Sequence, residues 1–318
     1  MTTPTLSSIP RDDQYTDYDT FAGVYPAMPT PFDDDGEVDH DHLAARAQQL
    51  AAAGVDGIVP VGSTGESATL THDEHVAVVE TVVEAVDCPV IAGSGSNATH
   101  EAISLSERSV AAGADALLLI SPYYNRPEMR GVRRHYTRVA DAVDVPCVVY
   151  NVPSRTGSNL EPETVAELAD HPGIAGYKAA SGDANQISEV VERTREAAFD
   201  VLSGDDAMTH PVVSLGGTGT ISVIGNVLPE RTRRVVERGL AGDLAAARAT
   251  HHELGPTARA LFRETNPIPV KEALSIRENR EPRLRDPLTR ATEQTRDRLT
   301  ELLADLDATG PLGGVTEA

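Results

Sequence analysis

The chain has 318 residues, a formal net charge of −22 at pH 7, 40% hydrophobic residues and 24% charged residues. Such acidity argues against nucleic acid or an anionic membrane as a partner. The apolar share is enough for a sizeable core and excludes a disordered chain, and no apolar run reaches membrane-spanning length.

Of the 27 basic residues, 25 are Arg and only Lys178 and Lys271 are Lys. An acidic, Lys-poor surface suits a halophilic protein kept soluble in concentrated salt, where repulsion between surface charges is screened. The two cysteines, Cys88 and Cys147, make neither a metal cluster nor a disulfide framework. A reducing cytoplasm is therefore the expected setting.

Residues 1–20 are polar, acidic and proline-containing, with no apolar h-region, and read as a frayed extension rather than a signal peptide. From Phe21 to Gly242, short β-rich runs alternate with amphipathic helical stretches. The expected strands are 24–28, 57–61, 89–92, 116–120, 146–150, 174–178, 201–203 and 219–223. Most are near-continuous apolar runs, as strands buried on both faces of a parallel sheet require. Helices follow, for example over 40–53, 72–86 and 100–112, and Thr71 with Glu74 spells a capping box at the start of the second. This alternation predicts an α/β fold, a (β/α)₈ TIM barrel over 21–242, rather than a Rossmann sheet.

An internal echo supports a closed repeat. Ala52-Ala53-Gly54-Val55-Asp56 recurs as Ala111-Ala112-Gly113-Ala114-Asp115, and Ala85-Val86-Asp87-Cys88-Pro89 recurs as Ala142-Val143-Asp144-Val145-Pro146. After Gly242 the β signal stops. Stretches 244–262, 269–276 and 288–306 read as helices of a C-terminal helical subdomain over 243–308, with a flexible Gly-rich tail at 309–318.

Reactive residues of a TIM barrel stand at the C-terminal ends of its strands. Here those ends hold Ser63 and Thr64, Gly93, Tyr123 and Tyr124, Tyr150, Lys178, Gly204 and Asp205, and Ile221. The set has one amine and several hydroxyls. It has neither the carboxylate pair of a glycosidase nor the His-rich ends of a metallohydrolase, so no metal is expected, and Schiff-base chemistry on a lysine would need no organic cofactor. Lys178 closes the apolar run Gly173-Ile174-Ala175-Gly176-Tyr177 in a chain that otherwise avoids lysine. Desolvation at a barrel mouth disfavours the ammonium, lowers the pKa toward neutrality and frees the amine to attack a ketone. An average lysine is more often snorkelling or ion-paired; scarcity and strand-end position reverse those odds. Lys271, in Asn266-Pro267-Ile268-Pro269-Val270-Lys271, reads as packing at a helix start.

Tyr150 ends the preceding strand and is a candidate proton shuttle, with Tyr124 and Ser63 as further hydroxyls; any one tyrosine is as readily explained by core packing. Gly62-Ser63-Thr64-Gly65-Glu66-Ser67 lacks the P-loop form, yet its backbone N–H groups suit a phosphate or a carboxylate. Asp205-Asp206 reads as solvated or capping.

Six ordered motifs resemble the dihydrodipicolinate synthase family, within the pyruvate-aldolase and N-acetylneuraminate lyase superfamily. They are G-S-T-G-E-S at 62–67, P-Y-Y-N-R-P at 122–127, Y-N-V-P-S-R-T-G at 150–157, G-Y-K at 176–178, L-S-G-D-D at 202–206 and N-P-I-P-V-K at 266–271. The resemblance implies Lys178 as the Schiff-base lysine and Tyr150, Ser63 and Tyr124 as the proton relay, with Tyr124 reaching in from a neighbouring subunit. It implies that the backbone around Ser63 and Thr64 seats the pyruvate carboxylate, that Arg155 clamps the carboxylate of L-aspartate 4-semialdehyde, and that Gly204 and Ile221 line the pocket through their backbones. Ser67, His72, His75, Asn97, Glu101 and Tyr123 match a lysine-feedback site at a dimer interface. Ser63 stands where the synthases usually have Thr, and Ala179 where Glu is common.

The implied reaction is condensation of pyruvate with the semialdehyde in the diaminopimelate and lysine pathway, by a cytoplasmic homotetramer arranged as a dimer of dimers. Rival readings are a 2-keto-3-deoxy sugar-acid aldolase, a catalytically dead barrel acting as metabolite sensor, and a phosphate-binding isomerase barrel. The charge pattern carries its own expectation: the melting temperature should rise as KCl is added. A flat or falling melting temperature would remove the high-salt reading.

Overall fold

The computed structural model describes residues 21–308; the expected N-terminal extension 1–20 and tail 309–318 lie outside the described residues. Its strands are β1 (Gly23–Pro26), β2 (Ile91–Gly93), β3 (Ala116–Ile120), β4 (Cys147–Asn151), β5 (Ile174–Ala179), β6 (Asp200–Ser203) and β7 (Gly219–Ser222). All pairings are parallel, in the order β1-β7-β6-β5-β4-β3-β2.

The eighth expected strand, 57–61, is not a regular strand. It makes two isolated parallel bridges, Ala27 to Val59 and Ile58 to Val90. Val59 N donates to Pro26 O and Ile91 N to Ile58 O, both at 2.9 Å, so the segment fills the gap between β1 and β2. Pro60 has no N–H for the ladder, and Val61 turns left-handed at φ 49°, which ends the pairing there. The result is a curled parallel sheet closed at this seam, a TIM barrel in outline.

Helices pack outside. They are α1 (His40–Ala52), α2 (His72–Ala85), α3 (Thr99–Ala111), α4 (Met129–Ala140), α5 (Pro153–Thr156), α6 (Pro162–Ala169), α7 (Ala184–Thr194), α8 (Thr209–Ser214) and α9 (Pro229–Leu240). Helix starts follow local chemistry. Asp39 and Asp183 accept from the first-turn N–H groups of α1 and α7, and the Thr71–Glu74 capping box of α2 is formed.

Strand residues alternate between two apolar clusters. Leu117, Cys147, Val149, Tyr177 and Val201 join the layer shared with the helices. Ala116, Leu118, Val148, Tyr150 and Leu202 join the inner cluster of the barrel. Period-2 alternation therefore decides which side chains point inward.

Helices α10 (Leu244–Leu261), α11 (Ile268–Glu278) and α12 (Glu293–Ala308) follow. Leu254, Leu261, Val270, Leu299 and Leu303 share one buried cluster with Val223, Leu228 and Val235 of the barrel. Helix α12 starts five residues later than the pattern predicts, because 288–292 is held by side chains instead. Arg290 pairs with Glu272 at 3.1 Å, and Thr292 donates through Oγ1 to Glu264 Oε1 at 2.7 Å.

Lys271 does more than pack at a helix start. Its side chain is 6% exposed and pairs with Glu66, which is fully buried. Nζ also donates to Arg283 O at 2.8 Å and lies 4.3 Å from the Phe32 ring centroid. Glu66 in turn accepts from Arg285 N at 3.1 Å. One ion pair thus joins the 62–67 loop to the C-terminal segment. Glu66→Gln would leave Lys271 buried without its counter-charge, a change expected to destabilise the fold by about 3–5 kcal/mol. The urea midpoint checks this, and an unchanged midpoint would show that the pair contributes nothing.

Candidate active site

Strands β4 and β5 run side by side with Tyr150 paired to Lys178. Alternation turns both inward, and Lys178 Nζ lies 4.2 Å from the Tyr150 ring centroid. Lys178 is 6% exposed. Burial lowers its pKa to about 7, with the Asp206 carboxylate opposing and the Arg155 cation reinforcing the shift. Burial raises the Tyr150 phenol to about 12, with Arg155 pulling the other way. Its hydroxyl therefore stays protonated at neutral pH and can donate.

Gly204, just past β6, makes room for the lysine. A Cβ there would sit 2.9 Å from both Cγ and Cε of Lys178, so any side chain would push the stem aside. Gly204 N also donates to Ala179 O at 2.7 Å, tying the two strand ends together.

A cavity of about 1000 Å³ opens over the amine, lined by Ser63, Thr64, Tyr150, Arg155, Lys178, Gly204 and Asn266. The structure thus brings together six of the eight expected catalytic and substrate-binding residues. Ile221 lies in the inner barrel cluster, packed with Tyr150 and Leu202. Tyr124 is not brought in by its own chain: it is 90% exposed, at φ 71°, on the loop after β3.

Arg155 follows from the short helix α5, is exposed at the rim, and donates from Nη2 to Asn266 O at 2.7 Å. Thr64 is buried and its Oγ1 accepts from Asn266 Nδ2 at 2.8 Å. A cation at the mouth and a desolvated amine at the floor, set about a protonated phenol, suit nucleophilic attack on the ketone of a carboxylate-bearing substrate.

A second cavity of about 510 Å³ shares Ser63, Tyr150 and Arg155 with the first and holds Ser67, His72, His75, Glu101 and Tyr123. His72 Nε2 is 3.3 Å from Glu101 Oε1, and Glu101 also takes a hydrogen bond from Ser96 Oγ. Burial pushes His75 down to about 4, so its ring is neutral at pH 7. Asn97 does not line this cavity; its main-chain O accepts from Asn125 Nδ2 at 3.1 Å.

Two residues escaped the sequence reading. Asp205 does cap, accepting from Ala207 N at 2.9 Å, but Asp206 is not solvated. It is 5% exposed and accepts from Ser222 Oγ at 2.6 Å and Ile224 N at 2.8 Å. Burial raises it to about 6. Asn266 sits in a motif that the sequence singles out without a role; its contacts cross 202 positions of chain to Thr64, beyond any local signal.

The model of the dihydrodipicolinate synthetase family matches residues 20–306. The chain is 64% identical over 288 residues to a 4-hydroxy-tetrahydrodipicolinate synthase of Haloarcula marismortui, covering 90% of this chain and 94% of that protein. It is 60% identical over 291 residues to a protein of the same description from Natronomonas pharaonis, covering 91% and 99%. The crystal structure of dihydrodipicolinate synthase from Aquifex aeolicus superposes with a TM-score of 0.88 at 40% identity, over 90% of this chain and 98% of that one.

The lowered Lys178 pKa has a direct readout. The neutral fraction of the amine rises with pH through about 7. Acylation of Lys178 by a small anhydride, which leaves a carboxylate, should therefore rise with pH to a plateau with its midpoint near 7, read by peptide mass spectrometry. A rate still climbing toward pH 10 would mean an ordinary, solvated lysine.

Proposed function

The chain belongs to the dihydrodipicolinate synthetase family, and from that membership and the cavity over Lys178 we propose the following chemistry. The enzyme is a Schiff-base lyase that condenses pyruvate with L-aspartate 4-semialdehyde to 4-hydroxy-tetrahydrodipicolinate. The observation that carries this reading is an inward, desolvated Lys178 amine in contact with the Tyr150 ring.

Neutral Lys178 Nζ attacks the pyruvate ketone carbon, and water leaves as the imine forms. Thr64 and the backbone beside it seat the pyruvate carboxylate. Loss of a methyl proton gives the enamine, whose carbon attacks the aldehyde while Arg155 holds the second carboxylate at the rim. The amine of the semialdehyde then displaces Lys178 from the imine, closing the ring and freeing the lysine. Tyr150 donates and accepts the protons of these steps, with Ser63 relaying. Gly204 shapes the pocket, Ile221 backs Tyr150 from the inner barrel cluster, and the buried Asp206 carboxylate offsets the positive charge of the protonated imine.

Tyr124 completes the relay from a second copy of the chain. Its 90% exposure and left-handed backbone are those of a side chain held outward for a neighbour, and we read the assembly as a homotetramer built of two such dimers. The second cavity, with Ser67, His72, His75, Glu101 and Tyr123, and Asn97 outside its lining, is the seat of L-lysine feedback. The two isolated cysteines support a reducing cytoplasm as the enzyme's setting.

Borohydride trapping tests this reading. With pyruvate, the reduced pyruvyl adduct is expected on Lys178 and absent in Lys178→Arg. Turnover with aspartate semialdehyde should exceed that with a sugar-derived aldehyde, and millimolar L-lysine should lower it. No adduct on Lys178 would sink the mechanism. Preference for the sugar aldehyde would make the protein a sugar-acid aldolase, and indifference to L-lysine would remove the feedback site.

A further inference from the structure

One residue outside the barrel touches both substrate seats assigned above. Asn266 lies two residues before α11 and is 7% exposed. Its side-chain Nδ2 donates to Thr64 Oγ1 at 2.8 Å, and its main-chain O accepts from Arg155 Nη2 at 2.7 Å. Its position is anchored five residues on, where the buried Lys271–Glu66 pair ties α11 to the same loop that carries Thr64.

The direction of these bonds has chemical consequences. A hydroxyl has one hydrogen to give and two lone pairs to receive. With a lone pair of Thr64 taken by the amide, its own hydrogen is left to point into the cavity as a donor. Arg155 has five N–H donors in a rigid fork. Binding one arm to a backbone carbonyl fixes the plane of the guanidinium and leaves the remaining donors for a carboxylate. Asn266 thus sets the orientation of one seat through its side chain and of the other through its backbone.

We propose that Asn266 is a positioning residue that turns the Thr64 hydroxyl toward the carboxylate of the first substrate, while its backbone carbonyl holds Arg155 in register for the carboxylate of the second. This rests on the reading of the cavity as the pyruvate and semialdehyde site. The division between side chain and backbone separates the two effects, because a substitution removes only the side-chain arm.

Steady-state kinetics of Asn266→Ala, Asn266→Asp, Thr64→Val and the Asn266→Ala/Thr64→Val pair test it. Asn266→Ala should raise the KM for pyruvate roughly tenfold, the worth of one hydrogen bond to a charged group. The KM for the semialdehyde should stay within about twofold, and kcat should change less than the pyruvate KM. The double variant should be no worse than either single one, since both remove the same interaction. Asn266→Asp keeps the shape but can only accept from Thr64, which turns the hydroxyl hydrogen out of the cavity. Its pyruvate KM should be at least as high as that of Asn266→Ala, and it decides the matter if Asn266→Ala fails to fold.

A wild-type pyruvate KM in Asn266→Asp, or full additivity in the double variant, overturns the proposal. Borohydride trapping of the wild type keeps the two readings apart. If the wild type forms the Lys178 adduct and the Asn266 variants keep the wild-type KM, this inference alone fails. If the wild type forms no adduct, the site assignment fails and this inference falls with it.

Discussion

The removal of one amine from water organises this molecule. Lys178 stands on the inner face of a parallel barrel, where an ammonium loses most of its hydration. The barrel answers that loss by letting the proton go near neutrality, so that the neutral amine is present where a solvated lysine would be protonated. Each neighbouring feature follows from keeping that amine dry yet reachable. Gly204 lacks the Cβ that would strike the lysine stem. Tyr150 covers it with a ring face. The buried Asp206 carboxylate limits how far the pKa falls.

The second lysine shows what a different environment does with the same group. Lys271 is as buried as Lys178, but it has Glu66 in contact and a backbone carbonyl to bond. Its pKa is lowered less, to about 8, because the adjoining carboxylate opposes the desolvation. Breaking such a pair leaves a buried charge without compensation. Lys271 is therefore a fastener between the 62–67 loop and the C-terminal helices, whereas Lys178 faces an open cavity. In a chain with only two lysines, one holds the wall of the site and the other stands on its floor.

The C-terminal helices consequently belong to the chemistry as well as to the fold. They share a buried apolar cluster with Val223, Leu228 and Val235. Through Asn266 they meet Thr64 and Arg155, which present polar groups to the cavity from the loops after 57–61 and β4. A wall assembled from segments so distant in sequence is rigid only when all of them pack together, which is how a small error in one loop is kept from opening the site.

The sequence by itself determined the features whose signal is local. Alternating apolar runs and helical stretches specify the parallel barrel, because strands buried on both faces must be apolar throughout. Thr71 and Glu74 specify a capping box because capping spans one turn. The scarcity of lysine made Lys178 conspicuous at a strand end. Tertiary structure decided the rest. The run at 57–61 has the composition of a strand but makes only two bridges, since Pro60 and the turn at Val61 interrupt its ladder. Asp206 reads as a surface acid until three donors are seen to converge on it. The start of α12 moved because Thr292 found Glu264, and Tyr124 fell outside its own chain's cavity. For Asp206 and for the start of α12 the deciding contact joins residues far apart along the chain, and no periodicity or short motif records which distant partner will arrive.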